Sequence, residues 1–171
     1  MRKLTGALLA VVVLAWAPAA LAQGSASANI NATATVLNAV SVTAQQDLDF
    51  GNVIPGTNKS VAITSVNAGR WMVQGTAGAE VGITFPALPM SLSDGSNALA
   101  LVYSGTDAGH NVVNNASTAT TFDPLPGTTA NIGVSPAELH VWIGGTVVPT
   151  AMQPSGIYTG TITMQATYTG N

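Results

Sequence analysis

Between Ala26 and Val36 the chain alternates apolar and polar residues without a break. Ala26, Ala28, Ile30, Ala32, Ala34 and Val36 fall on one face, and Ser25, Ser27, Asn29, Asn31, Thr33 and Thr35 fall on the other. After an interruption at Asn38 the apolar face continues through Val40 and Val42. A two-residue period marks extended chain with one face toward a core and one toward water. At ~3.3 Å per residue the run from Ala26 to Val42 spans about 56 Å. A domain of this length has a radius of gyration of roughly 15 Å and a diameter near about 40 Å. The run is therefore too long for one strand of one sandwich. Either it bends near Asn38 and folds back, or its first part leaves the domain. An arm of the second kind can complete a sheet in a neighbouring molecule, by strand addition. The plainer alternative is an ordinary first strand preceded by a frayed tail.

The residues before the arm have the pattern of an export signal. Arg2 and Lys3 supply a positive start, Leu4 to Ala17 an apolar stretch, and Ala20-Leu21-Ala22 a small-x-small cleavage site. The apolar stretch is shorter than the ~20 residues that span a bilayer, and polar residues follow it directly. The expected organisation is a signal peptide over 1–22, an arm over 23–37 beginning at Gln23, and one β-sandwich domain over 38–171.

Charge and cysteine content narrow the function classes. Past the leader only Lys59 and Arg70 are basic, against seven carboxylates, so the net charge is 2 − 7 = −5. Two basic residues cannot neutralise a phosphate backbone, which argues against nucleic acid as a partner. The same scarcity argues against docking on anionic lipid. There is no cysteine, hence no thiol nucleophile and no thiolate metal site. A surface of Thr, Ser, Asn, Gln and Gly sets up little repulsion between copies and tolerates self-association.

The rest of the chain reads as strand. Expected strands are Val40–Thr43, Leu48–Val53, Ser60–Thr64, Arg70–Gly75, Val81–Phe85, Ala98–Tyr103, Glu138–Ile143 and Tyr158–Tyr168, all rich in β-branched and aromatic residues. Asp94-Gly95-Ser96-Asn97 and Asp107-Ala108-Gly109 carry turn chemistry. The Asn-, Thr-, Pro- and Gly-rich stretch from Asn111 to Pro136 reads as a long connection with one weak strand at most. Six Gly-Thr pairs recur at irregular spacing, which excludes a solenoid. The fold class is all-β: an immunoglobulin-like antiparallel β-sandwich of roughly 7–9 strands with an extended N-terminal arm. The last strand is the cleanest, with Tyr158, Ile162, Met164, Ala166 and Tyr168 on its apolar face.

Three motifs occur in order: Leu48-Asp49-Phe50-Gly51-Asn52-Val53, then Val141-Trp142-Ile143-Gly144-Gly145-Thr146, then Pro154-Ser155-Gly156-Ile157-Tyr158-Thr159-Gly160-Thr161. With the Ala/Thr-rich arm they resemble an uncharacterised family of exported bacterial domains, itself similar to spore-coat-U-type and chaperone–usher pilin domains. The resemblance implies an immunoglobulin-like sandwich, export, and assembly into surface fibres or coats through an N-terminal donor strand. It also implies a periplasmic chaperone and an outer-membrane assembly factor as partners. The paired cysteines of many pilins are absent here. Read from the residues themselves, Gly51, Gly144 and Gly145 suit bulges or close backbone approach, and Pro154-x-Gly156 suits a tight turn.

No catalytic constellation emerges, and neither a cofactor nor a metal is expected. His110 sits in a polar turn region and His140 in a strand, without the further ligands or orienting carboxylate that a zinc or nucleophile site needs. No Ser lies in a Gly-x-Ser-x-Gly elbow. Asp47 and Asp49 share one strand face, but a calcium loop needs more oxygens than this stretch offers. Trp71, Trp142, Tyr103, Tyr158, Phe50 and Phe85 lie in expected strands, where core packing is the commoner fate and a sugar-binding row the rarer one.

The expected function is a non-enzymatic structural subunit of a bacterial surface fibre or coat, built from copies of itself. Ala26, Ala28, Ile30, Ala32, Ala34 and Val36 would fill the groove of the next copy. The receiving edge would be Tyr158, Ile162, Met164, Ala166 and Tyr168. The alternative is a monomeric secreted or surface binding module for carbohydrate.

Overall fold

The structure is a computed structural model that describes residues 25–170. The expected leader and Gln23 lie outside the described residues. The chain divides into two units, Met1–Thr35 and Val36–Asn171.

In the first unit, residues 25–35 form neither helix nor strand, and every one of them is exposed.

The second unit is all-β, with three antiparallel sheets and twelve strands among the described residues. A five-stranded sheet is ordered β1 (Ser41–Gln46), β3 (Gly69–Gln74), β10 (Glu138–Ile143), β7 (Ala108–Asn111) and β8 (Thr120–Phe122). A four-stranded sheet is ordered β2 (Lys59–Val61), β11 (Gly145–Val148), β6 (Ala98–Val102) and β5 (Ser91–Ser93). A three-stranded sheet is ordered β12 (Thr163–Tyr168), β4 (Glu80–Ala87) and β9 (Thr128–Asn131).

Alternating side chains build two cores. Val73 of β3, Leu139, Val141 and Ile143 of β10, and Ala108 and Phe122 of β7 and β8 meet Val81, Ile83 and Phe85 of β4 and Met164 and Ala166 of β12. This packs the five-stranded sheet on the three-stranded one, so the fold is a sandwich. A second cluster joins Val61, Leu99, Leu101 and Val147 of the four-stranded sheet to Phe50 and Ala68 from loops.

The two cores are connected through one backbone run. β10 lies in the first sheet and β11 in the second, with only Gly144 between them. A Cβ on Gly144 would overlap the carbonyl oxygen of Val61 on β2. Close backbone approach, as expected from sequence, is the reason that glycine is needed there.

Several expected strands differ from those observed. Leu48–Val53 forms none, although Leu48 and Phe50 still turn inward. Asp49 accepts a hydrogen bond from the Gly51 amide at 2.7 Å, and Gly51 takes φ +57°, which breaks the extended run. Tyr158–Tyr168 forms a regular strand only from Thr163, preceded by one bridge from Thr159 to Ser93. Asp107-Ala108-Gly109 holds a turn only at Asp107, which accepts from the Ser104 amide at 2.7 Å; β7 starts at the next residue. The 111–136 stretch contains β8 and β9, each of which contributes a single core side chain, Phe122 and Ala130. One buried position per strand leaves no readable period. With β5 and β11 these short segments bring the number of strands to twelve. Asp94-Gly95-Ser96-Asn97 does form the β5–β6 turn, with Asp94 accepting from the Ser96 and Asn97 amides.

Candidate functional site: an edge strand and an open cleft

The arm residues proposed for assembly are accessible along their whole length. Ala26, Ala28, Ala32 and Ala34 are exposed, Ile30 is 92 % exposed and Val36 is 93 % exposed. They carry the largest apolar side chains of the alternating face, and folding has left both in water. The chain enters the second unit at a pinned point. The Asn38 amide donates to Thr76 Oγ1 and the Tyr168 hydroxyl donates to the Asn38 carbonyl, each at 2.7 Å. Tyr168 Oη also accepts from the Thr76 amide at 2.7 Å.

The five residues of the expected receiving edge are divided between two settings. Met164 and Ala166 are buried in the first core, with Ile162 and Tyr168 packed on its margin. Tyr158 packs on the second core instead. Met164, Ala166 and Tyr168 lie on β12, an edge strand paired with β4 alone. The Thr169 amide donates to the Glu80 carbonyl, and Thr167 opposes Gly82. Antiparallel pairing alternates, so Ala166 and Tyr168 turn their main-chain groups away from β4.

Elsewhere the surface of the second unit opens into a cleft of about 1030 Å³. One wall is the 46–55 segment and the other the 153–162 segment; Trp71, Leu92, Leu99, Leu101 and Val147 line the space between them. Both walls contain a stretch whose sequence predicts a strand, yet neither forms a regular one: Thr159 exchanges two main-chain hydrogen bonds with Ser93, and the Asp49 amide donates to the Asn67 carbonyl. Among the described residues the main chains of Phe50, Val53 and Tyr158 make no hydrogen bond to another main-chain group. Side chains also hold the second wall: Tyr158 Oη donates to the Pro154 carbonyl and accepts from Gln153 Nε2, each at 2.9 Å. The apolar floor was not singled out from sequence. Its residues look like ordinary core positions, and Leu99, Leu101 and Val147 are in fact buried in the second core.

The remaining residues considered from sequence occupy separate places. His140 is buried on one face of the five-stranded sheet, with Nε2 3.7 Å from the Glu138 carboxylate. Burial holds its pKa below the ordinary value, Glu138 acts to raise it and Arg70 to lower it. His110 is paired with Val141 on β10, which places it on the opposite face, 5.9 Å ring to ring from Phe122. The two histidines are thus separated by the sheet. Burial lowers the pKa of His110 too. Asp47 and Asp49 are exposed on the cleft rim. No group of three metal-ligating side chains occurs among the described residues. Phe50, Phe85 and Trp142 are buried, and Trp71, Tyr103 and Tyr158 are partly so. No helix among the described residues is long and apolar enough to cross a membrane.

Residues 40–168 match one protein family, described as a domain of unknown function, DUF4402. No curated protein and no solved structure matches the chain.

Proposed function

This chain belongs to the DUF4402 family, and we propose that it is a non-enzymatic structural subunit of an exported bacterial surface fibre or coat. Copies are joined when the arm of one, residues 23–37, adds as a strand to another. Transit through the periplasm would call on a chaperone and an outer-membrane assembly factor. The observation that carries this reading is the arm itself. It has a regular apolar face, with Ile30 and Val36 almost fully exposed, and no secondary structure of its own. Exposed alternating chain of this kind gains backbone pairing and apolar burial only by joining a sheet. The rest of the chain supports the reading from the acceptor side, because β12 presents an unpaired edge. Low charge across the surface removes the repulsion that keeps edges apart.

The test is electron microscopy of material sheared from the native host, with filaments identified by mass spectrometry, beside the Ile30→Asp variant. Fibres containing the wild-type chain, starting at Gln23, are expected; the variant should fold and form none, because a charge buried in a strand interface is costly. Intact fibres from Ile30→Asp would sink the arm assignment.

A second reading has one observation in its favour. The cleft sets Trp71 and Tyr158 near the polar rim residues Asp47, Asp49 and Gln153, chemistry that suits a carbohydrate. It predicts a concentration-independent monomer that binds glycans, and fibres would count against it.

A further inference from the structure

Among the described residues six strands lie at sheet edges: β1 and β8, β2 and β5, β12 and β9. In five of them the side chains on the core face are covered, wholly or in part. Phe122 of β8, Ala130 of β9, Val61 of β2, and Met164 and Ala166 of β12 are buried, and Leu92 of β5 is partly buried against the second core. β1 differs. Its register sets Val42 opposite Val73 and Ala44 opposite Trp71, and residues directly opposite share a face. Val73 is fully buried on that face, whereas Val42 is 37 % exposed and Ala44 is exposed too. Trp71 is only partly buried, although its ring meets Phe85 edge-on at 5.8 Å.

The cause is the unequal width of the two packed sheets, five strands against three. β12 of the narrower sheet lies beside β1. Tyr168, at its end, is bonded to Asn38 just before β1. Ile162, just before its start, lines the cleft together with Gln46 at the end of β1. The two strands therefore run side by side in opposite directions. A strand added to the outer edge of β12 would widen the narrower sheet beneath β1, and the main-chain groups of Ala166 and Tyr168 already turn to that side. Neither β1 nor β12 contains a charged residue or a proline, the usual guards of an edge.

We infer that β1 is the floor of the acceptor: the arm of a second copy ladders on the outer edge of β12 and lays its apolar face against Val42, Ala44 and Trp71, closing the open side of the sandwich. This rests on the proposed assembly through the arm, and it singles out one of six free edges. The arm fits on three counts. Residues 25–37 carry no charge, so nothing ionised meets the apolar floor. With Ile30 and its neighbouring alanines turned inward, Asn29, Asn31, Thr33 and Thr35 turn outward, continuing the exposed polar face that Thr163, Gln165 and Thr167 form on β12. Ile30 and Val36 are six residues apart, about 20 Å along a strand, and the six residues of β12 span about the same length.

The Ile30→Asp chain, in the form left after export, isolates the acceptor, since it keeps β1 and β12 and has lost its own donor. Hydrogen exchange would be followed in this chain with and without a synthetic peptide of residues 25–37. The amides of Ala166 and Tyr168 are expected to exchange rapidly alone, and at least about tenfold more slowly with saturating peptide. Val42→Asp and Ala44→Asp, each added to that chain, put a charge on the floor at an exposed edge position. Whichever keeps the urea midpoint should bind the peptide at least about tenfold more weakly. Slow exchange at Ala166 and Tyr168 without peptide, protection of β8 or β9 instead, or peptide affinity untouched by a charge on the floor overturns the inference and leaves assembly through the arm standing. Failure of the peptide to bind while the wild-type chain still polymerises overturns it too. Absence of both polymer and peptide binding removes the proposed assembly along with it.

Discussion

β10 and the cleft walls start from the same kind of sequence and end in opposite states. Glu138–Ile143 alternates and sits between β3 and β7, with Leu139, Val141 and Ile143 in the core and His140 and Trp142 buried on the far face. Leu48–Val53 and Tyr158–Ile162 alternate as well, and Leu48, Phe50 and Tyr158 turn inward, but neither forms a regular strand, and the second makes one bridge only, from Thr159 to Ser93. Alternation therefore reports which side chains face inward. It does not report whether the backbone has a partner, since pairing depends on what lies alongside. The arm is the limiting case, with the period intact and no face covered at all.

The comparison breaks most readily at β10. Ile143→Ala removes a fully buried side chain at the point where the two cores join, and should cost about 2–5 kcal/mol. Urea denaturation measures it, and a loss under about 1 kcal/mol would show that the junction is far looser than its burial implies.

Next comes the junction itself. Gly144→Ala must push β10–β11 away from β2 to make room against the Val61 carbonyl, at about 1–3 kcal/mol. Gly51→Ala is the control in the first wall. Its Cβ meets only Lys59 Nζ at 3.6 Å, so its cost is the left-handed backbone alone, about 1 kcal/mol. Equal losses in the two variants would mean that close approach is not what Gly144 provides.

Tyr158→Phe sharpens the contrast from the wall side. Beside the single Thr159–Ser93 bridge, the second wall is held by the Tyr158 hydroxyl between Pro154 and Gln153. Its removal should cost about 1 kcal/mol and raise proteolytic nicking within 153–162 without changing the core. Unchanged nicking would mean that something other than this hydroxyl fixes the wall.

These differences also define what could be read from sequence. Arg70–Gly75, Val81–Phe85, Ala98–Tyr103 and Glu138–Ile143 were legible because each buries several alternating side chains. β8 and β9 were not, because each buries one. The Leu48–Val53 strand was over-read: Asp49 and Gly51 form a turn inside an apolar alternation that would otherwise extend. The cleft was invisible for a different reason. The residues that line its apolar side belong to β3, β5, β6 and β11, and only their meeting in space shows that they border a cleft.

The smallest effect expected is a pH dependence confined to the laddered region. His140 and His110 both have pKa values lowered mainly by burial, while in the unfolded chain each titrates near about 6.5. Below that pH the unfolded chain takes up protons that the folded chain refuses, so stability present above about 6.5 is lost as pH falls through the lowered folded values. Glu138 opposes the shift at His140 and Arg70 reinforces it; at His110 burial is the cause. Asp94, held at about 2 by Asn97 and by the Ser96 and Asn97 amides, adds a loss of the same sign only at lower pH, below its ordinary value. The urea midpoint should therefore fall between pH 7.5 and pH 5.5. His140→Gln and His110→Gln should each flatten part of that slope. Neither wall carries a histidine, so amide exchange at Phe50, Val53 and Tyr158, corrected for intrinsic rates, should stay constant over the same range. A wall that loosened in step with the core would mean that the two regions unfold as one unit, and that the missing ladder does not set the walls apart energetically.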